Sequence, residues 1–296
     1  MSAALPRASA SARPAVSRRR ALALAGAALC APAVARALPP LRFGLTPVFL
    51  TSDLELLSRL QGYLEQACGR PVELVQRRTY QEITALLISG QLEAAWICGY
   101  PYVANRDRLE LVAVPLWRGE PLYRSYILVA ADRSASGFED LAGDIHAFSD
   151  PDSNSGFLVT RALLAERRVT PDQFFRKHFF TYGHRNVVRA VATGLADSGS
   201  VDGYVWEVMT ELEPALTDAT RVLLQSPPLG FPPIASARQL AGSEPVLRLQ
   251  EALLNMGGDP LGRSVLAMLR LDAFVPGYDR LFDGIAQRLA LVRSSA

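Results

Sequence analysis

The chain has 296 residues, with 31 Lys and Arg residues against 29 Asp and Glu residues, and a formal charge of +2. This length is sufficient for two domains of roughly 100–150 residues each. The near-neutral charge argues against a nucleic-acid-binding protein, which would be strongly basic.

Residues 1–37 have the composition of an export signal. They contain six Arg residues and no Asp, Glu or Lys, and the apolar run at residues 21–35 is too short to span a membrane. Ala35-Arg36-Ala37 is a small-residue cleavage site, which makes Leu38 the expected mature N-terminus. Residues 17–22 resemble a twin-arginine export motif, and an ordinary secretory signal is the alternative. Without the six arginines, 25 basic residues face 29 acidic ones, a charge of −4, so any affinity for anions must be local.

Strands and helices alternate in the first part of the mature chain. Residues 41–45, 72–76 and 92–98 have the pattern of strands. Ser52 or Asp53 is the expected cap of the first helix, and Thr79-x-x-Glu82 has the spacing of a capping box at the start of the second. This alternation predicts a largely parallel sheet in an α/β layer fold, with ligands at the carboxyl ends of the strands.

The middle of the chain repeats this alternation. Residues 123–130 form a β-rich run that can carry the chain into a second domain, and residues 221–225 form a strand that can return it. Between them we predict strands at 145–148 and 177–182, helices at 157–168 and 187–193, and a strand followed by a turn at 196–204. The remaining residues, including 246–254 and 262–269, have the pattern of helices. We therefore predict one lobe from residues 38–127 plus 226–296, a second lobe from residues 128–225, and a hinge of two segments.

A polar turn follows the strand at residues 145–148. Ser153, Asn154, Ser155 and Gly156 stand where this strand gives way to a helix. The first N–H groups of a helix are unpaired and carry the positive end of its dipole, so they favour anions. A simple helix cap is the alternative, but a cap needs only one hydroxyl. The turn predicts a binding site for a small oxyanion.

Two further strand ends in the second lobe should lie near this turn. His184 follows the strand at 177–182, and Asp202 with Tyr204 follows the next one. His184 can donate to an anionic oxygen, or it can simply begin a helix. Asp202 can accept a proton from a protonated ligand, or it can simply close a turn.

Several segments resemble the phosphonate-binding (PhnD-type) periplasmic solute-binding proteins of ABC transporters over nearly the whole mature chain. They are residues 41–45, 71–74, 95–96, 123–125, 150–159, 183–184 and 189–191. The resemblance implies a type II periplasmic-binding-protein fold, in which two α/β lobes close on a phosphorus oxyanion. It implies a periplasmic protein whose partners are this small ligand and a membrane permease.

The resemblance also implies roles for individual residues. Ser153, Asn154 and Ser155 would hold the oxyanion, and His184 would donate to it. Tyr80 and Tyr123 match tyrosines that the first lobe and its edge contribute to the cleft. Where relatives that bind aminoalkylphosphonates have carboxylates, this chain has Tyr204 and Pro232, with only Asp202 nearby, which argues against such a ligand.

Cys98 departs from the family pattern, since relatives commonly have Gly there. A cysteine at this position resembles the arsenite-sensing (AioX-type) branch of the family. That resemblance implies a membrane histidine kinase as the partner instead of a permease. Tyr100, in the Pro-containing turn that follows, is a further ligand candidate. Cys68 and Cys98 are the cysteines of the mature chain, and the sequence leaves undecided whether they form a disulfide.

The sequence gives no support for an enzyme. It has no G-x-S-x-G, H-E-x-x-H or G-x-x-x-x-G-K-[ST] motif, and no acid is evident to orient Ser153 and His184 as a nucleophile and its base. We expect no catalysis, no cofactor and no metal, and we expect a monomer that does not bind nucleic acid.

Overall fold

The computed structural model describes residues 38–46 and 53–295. The predicted export signal at residues 1–37 and the alternative cap Ser52 lie outside the described residues. Eleven α-helices lie within the described ranges: α1 (Leu54–Cys68), α2 (Tyr80–Ile88), α3 (Gly99–Ala104), α4 (Val159–Glu166), α5 (Pro171–Phe174), α6 (His184–Ala192), α7 (Gly203–Leu212), α8 (Pro214–Thr217), α9 (Glu244–Leu254), α10 (Pro260–Leu269) and α11 (Asp283–Ser294). The strands are β1 (Leu41–Leu45), β2 (Val72–Gln76), β3 (Ala94–Trp96), β4 (Leu109–Leu116), β5 (Leu122–Tyr123), β6 (Ser125–Ala130), β7 (Ile145–Phe148), β8 (Lys177–Phe180), β9 (Ser198–Asp202), β10 (Thr220–Gln225), β11 (Leu229–Gly230), β12 (Ile234–Ala237) and β13 (Ala273–Val275).

Six strands form the first sheet, in the order β13-β4-β12-β3-β1-β2. The predicted parallel arrangement of the first three strands is confirmed, because β1 pairs in parallel with both β2 and β3. β12 and β13 were not predicted, and they join the sheet antiparallel. The sequence of β12, Ile-Ala-Ser-Ala, is poor in β-branched and aromatic residues, so its own propensity gives little sign of a strand.

Five strands form the second sheet, in the order β10-β6-β9-β7-β8. β7 pairs in parallel with β8 and β9, so the carboxyl ends of these three strands lie at one edge. We call the six-stranded sheet with the helices packed on it the first lobe, and the five-stranded sheet with its helices the second lobe. The two α/β lobes are those of the predicted fold class.

The chain crosses between the lobes twice. β5 leads from β4 to β6, β11 leads from β10 to β12, and the two short strands pair antiparallel with each other. β6 spans the predicted boundary between residues 127 and 128, and it pairs with the second sheet along its length. The C-terminal helix α11 packs against α3 of the first lobe and α4 of the second. The exact lobe boundaries stay a prediction.

Helix caps agree with the sequence patterns at the first two helices. The Asp53 carboxylate accepts from Leu56 N at 3.0 Å, and α1 ends at Gly69 with a φ of 64°, in the left-handed region that glycine favours. Thr79 and Glu82 form the predicted capping box of α2. No helix in the described ranges is long and apolar enough to cross a membrane.

Two helices of the second lobe begin earlier than predicted. The helix predicted at 157–168 starts with a π-helical turn at Asn154–Leu158 that continues into α4, and the helix predicted at 187–193 starts at His184. Apolar periodicity detects the packed turns of a helix. The first turns here are polar, so the pattern placed both starts too late.

Candidate functional site

The turn after β7 is built around Gly156. Ser149 N donates to Gly156 O at 3.2 Å, and Gly156 N donates to the Ser153 hydroxyl at 3.0 Å, which makes Ser153 the cap of the π-helical turn. A Cβ on Gly156 would stand 1.8 Å from Ser149 Oγ. Only glycine therefore allows the end of β7 to lie directly on the start of the helix.

Three buried oxygens at this turn form no hydrogen bond of normal geometry with the described residues, although the Tyr123 side chain lies close to one of them, on Ser155. They are Ser149 Oγ, Asn154 Oδ1 and Ser155 Oγ. All three residues are almost completely inaccessible to solvent. A buried polar atom without a partner costs about 1–3 kcal/mol, so three of them in one turn are typical of a place where another molecule supplies the missing partners.

Asn154 connects the turn to the first lobe and to the crossing segment. Its backbone N–H donates to Cys98 Sγ at 3.2 Å, and its Nδ2 donates to the Tyr123 hydroxyl at 2.7 Å. A carboxamide can be turned end for end. In the reversed orientation, Oδ1 and Nδ2 exchange places. The Tyr123 hydroxyl then donates to Oδ1, and the amide N–H groups lie where Oδ1 has no partner in the present orientation.

His184 is the first residue of α6 and is also shared between the lobes. Its Nδ1 accepts from Asp202 N at 3.0 Å, and its Nε2 lies 3.2 Å from the Tyr80 hydroxyl. Burial lowers the pKa of His184 to about 3, so the ring is neutral near pH 7. Because Nδ1 accepts, the single ring proton stands on Nε2 and is donated to the Tyr80 oxygen. The Tyr80 hydrogen is then free for another acceptor.

Two buried carboxylates border the same cluster. Asp202 caps α7, with Oδ1 accepting from Tyr204 N at 2.9 Å, and burial raises the pKa of Asp202 to about 7. Asp150 accepts from the first N–H of α2, Tyr80 N, at 3.2 Å across the lobes, and burial raises the pKa of Asp150 as well. Each carboxylate stabilises a helix N-terminus.

Cys98 lies in the cluster as a thiol. It precedes α3, it is buried, and burial raises the pKa of Cys98 to about 12. Cys68 and Cys98 are both free, so they do not form the disulfide that the sequence had left undecided. In the described ranges, no three His, Cys, Asp or Glu side chains are grouped as a metal site would require.

The structure brings together eight of the nine predicted site residues. Tyr80, Cys98, Tyr123, Ser153, Asn154, Ser155, His184 and Asp202 are buried and lie in this hydrogen-bonded cluster or at its edge. Tyr100 is partly exposed and instead lines a neighbouring cavity of about 400 Å³ with Arg108 and Asp152.

Ser149 and Asp150 were not among the predicted site residues, although they open the polar turn. The signal that could have found them is their position directly after β7, at the sheet edge where ligands bind.

Two α/β lobes that enclose a buried polar cluster define a two-lobed periplasmic binding protein. The family model described as "ABC transporter, phosphonate, periplasmic substrate-binding protein" matches residues 43–282, and the chain belongs to this family. The predicted family is thus confirmed. It is a family of periplasmic substrate-binding proteins and not of enzymes.

The chain is similar to one protein in sequence and to two solved structures in fold. The phosphate-import protein PhnD of Mycolicibacterium smegmatis is 31% identical over 148 residues, which cover 46% of each chain, so the match spans less than half of that relative. The binding component of an ABC phosphonate transporter from Pseudomonas aeruginosa has a TM-score of 0.80 at 21% identity, covering 87% of both chains. PhnD1 from Prochlorococcus marinus, in complex with methylphosphonate, has a TM-score of 0.76 at 18% identity, covering 86% of this chain and 98% of that one. The two solved structures show the shared fold.

The Gly156→Ala substitution should distort the polar turn. Because the new Cβ would overlap Ser149 Oγ, we expect a loss of stability of about 1–3 kcal/mol, measured by urea unfolding. Gly137→Ala is the matched control, since the nearest atom to its Cβ, Glu139 Oε2, is 3.5 Å away. Equal stability of the two variants would contradict this description of the turn.

Proposed function

We propose that the protein binds a small phosphorus oxyanion (phosphate, phosphite or a phosphonate) between its lobes, and that an ABC permease receives the ligand from the closed form. The observation that carries this proposal is the group of three buried oxygens without partners at the π-helical turn. Residues 1–37 would direct export to the periplasm, by the twin-arginine or the ordinary secretory route.

The donors of the cluster suit an anion with several oxygens. The Ser149 and Ser155 hydroxyls can donate to it, as can the Asn154 amide in its reversed orientation and the Tyr80 hydroxyl that His184 leaves free. Every one of these donors is neutral. A tetrahedral anion would therefore be held by oriented dipoles at a helix start, an arrangement that favours anions without a paired cation.

The positions of the donors couple ligand binding to lobe closure. Ser149, Asn154 and Ser155 belong to the second lobe, whereas Tyr80 belongs to the first and Tyr123 to the crossing segment. A ligand that contacts both sets binds the closed arrangement better than any open one, and it shifts the equilibrium toward closure. A partner that recognises the closed form can then distinguish the loaded protein.

Asp202 favours a ligand that carries a proton. A buried carboxylate beside an anion site accepts an O–H from a protonated oxyanion, and it repels an anion that has no proton. Phosphate and the monoanions of phosphite and methylphosphonate carry such a proton, and sulfate near neutral pH does not. The site should therefore select against sulfate.

A sensor of arsenite that signals to a membrane histidine kinase is the second candidate function. The contact of Cys98 Sγ with Asn154 N favours it, because this contact places a thiol in the cluster. The raised pKa of Cys98 counts against it, since the thiolate is the form that binds such a ligand.

Removing the two serine hydroxyls that lack partners should abolish anion binding. For Ser149→Ala with Ser155→Ala we expect affinity for methylphosphonate and phosphate to fall roughly 30- to 1000-fold, because each hydroxyl contributes about 1–2 kcal/mol. Calorimetry measures the affinity, and a urea titration should show that the fold is kept. Ser89→Ala with Ser294→Ala, at two exposed positions, is the control. Unchanged affinity in the Ser149/Ser155 double variant would refute the proposed site.

Sulfate isolates the titration of Asp202, because sulfate itself does not change protonation between pH 5 and 9. The pKa of Asp202 is raised to about 7, so the carboxyl group is neutral below that pH and ionised above it. Sulfate affinity of the wild type should thus decrease as the pH rises through about 7. In Asp202→Asn it should be higher at pH 8 and independent of pH. Calorimetric titrations at pH 6 and pH 8 test this, and a pH-independent wild type would contradict it.

Cys98→Ser separates the two candidate functions. Serine keeps an acceptor for Asn154 N but removes the sulfur, so binding of phosphate, phosphite and methylphosphonate should change less than about threefold. Arsenite should show no calorimetric binding to either protein. Tight arsenite binding by the wild type that is lost in the variant would instead support the sensor.

A further inference from the structure

Unusual backbone conformations coincide with contacts between the lobes. Among the described residues, four that are not glycine have a positive φ: Arg118 at 54°, Arg168 at 57°, Tyr182 at 54° and Arg270 at 55°. This left-handed region is unfavourable for residues with a Cβ and is commonly occupied by glycine. Such conformations persist where the surrounding structure fixes them, and they are often found at functional sites.

Three of these four side chains contact the opposite lobe. The Tyr182 ring of the second lobe lies 5.3 Å below the Arg78 guanidinium of the first. Arg118 and Arg270, both in the first lobe, each donate to a glutamate of helix α7 in the second lobe. Arg168 donates no side-chain hydrogen bond to any residue in the described ranges, so it provides an internal comparison.

One face of α7 carries the contacts to the first lobe. Tyr204, Glu207 and Glu211 stand at helical spacing along it. The Tyr204 hydroxyl donates to Leu269 O at 2.5 Å, Glu207 accepts from Arg118 at 2.8 Å, and Glu211 accepts from Arg270 at 2.7 Å. The whole face is therefore held against the first lobe.

The first-lobe side of this contact is fixed in place. Arg118 lies in a tight turn after β4, where Gly119 N donates to the Asp272 carboxylate at 2.7 Å and Asp272 N donates to Leu116 O at 2.9 Å. Arg270 ends α10, and its guanidinium also donates to Ala267 O at 2.7 Å. Both arginines are thus held in position to meet α7.

Helix α7 also belongs to the proposed ligand site. Its cap is Asp202, whose N–H donates to His184. The orientation of α7 therefore depends on the site at its N-terminus and on the first lobe along its face.

We propose that Arg118 and Arg270, with their partners Glu207 and Glu211, are positioning residues that stabilise the closed arrangement of the lobes and thereby raise ligand affinity without touching the ligand. The proposal rests on the proposed function for its main measurement, which is binding of methylphosphonate. Contacts that are made in the closed arrangement and lost on opening add to the apparent affinity in proportion to that difference.

The test replaces each arginine by glycine, the residue that suits its backbone. Arg118→Gly and Arg270→Gly remove the ion pair and relieve the left-handed strain, so the unfolding temperature should stay within about 2 °C of the wild type or rise. Methylphosphonate affinity should nevertheless fall roughly two- to fivefold in each variant, the range expected of partly exposed ion pairs, and further in the double variant. A merely structural role predicts the reverse, namely lower stability with unchanged affinity.

Two controls sharpen the result. Arg168→Gly makes the same change at the same φ, at a side chain that forms no hydrogen bond or ion pair within the described ranges, so its affinity should equal that of the wild type. The charge exchange Arg270→Glu with Glu211→Arg should recover affinity lost in either single variant. Equal affinities in wild type, Arg118→Gly and Arg270→Gly would overturn the proposal.

Small-angle scattering separates failure of this proposal from failure of the proposed function. If the wild type binds none of methylphosphonate, phosphite and phosphate, the proposed function is wrong. The radius of gyration at low salt then decides the proposal by itself. A larger radius in the Arg118→Gly, Arg270→Gly double variant than in Arg168→Gly supports it, and equal radii reject it.

Discussion

A buried hydroxyl needs a partner, and at the start of the π-helical turn three buried oxygens have none among the described residues. The strand β7, the glycine at 156 and the cap at Ser153 hold these oxygens in one place. The lobes then supply the remaining walls, with Tyr80 and Cys98 from one side and His184 and Asp202 from the other. The arrangement is one in which an anion with several oxygens would supply the missing partners and connect the lobes.

The charges of this cluster decide what kind of anion it can hold. Its donors are neutral, and its two buried carboxylates are acceptors whose pKa is raised by burial. A neutral His184 donates its Nε2–H in a hydrogen bond to the Tyr80 oxygen, which leaves the Tyr80 hydroxyl hydrogen for the ligand. Such a site favours an oxyanion that can also donate a hydrogen bond. Lobe closure would combine these contacts with those of α7, which lie outside the ligand site.

Much of the architecture could be predicted from local patterns. The caps of α1 and α2 and the parallel pairing of β1, β2 and β3 all follow from residue types and spacing. The strand β12 could not be predicted, because its Ala and Ser residues become a strand only by pairing between β3 and β4. The starts of α4 and α6 were placed too late for a related reason, since their first turns are polar where they border the candidate site.

The candidate site itself was foreseen as a set of residue types at strand ends, and its contacts were not. Nothing local shows that Asn154 donates to Cys98, 56 positions away, or that Arg118 meets Glu207, 89 positions away. Ser149 was not among the predicted site residues, and only its burial without a partner distinguishes it from other serines at strand ends. The contacts of Asn154 and Arg118 arise from the approach of the two lobes, which short-range patterns do not encode.

A crystal structure of the protein grown with methylphosphonate would show directly whether the anion binds at the π-helical turn. We expect closed lobes, with phosphonate oxygens within hydrogen-bonding distance of Ser149 Oγ, Ser155 Oγ and the Asn154 amide, and with Tyr80 donating from the first lobe. Density for the ligand elsewhere on the protein, or at the π-helical turn without contacts to these groups, would contradict this expectation.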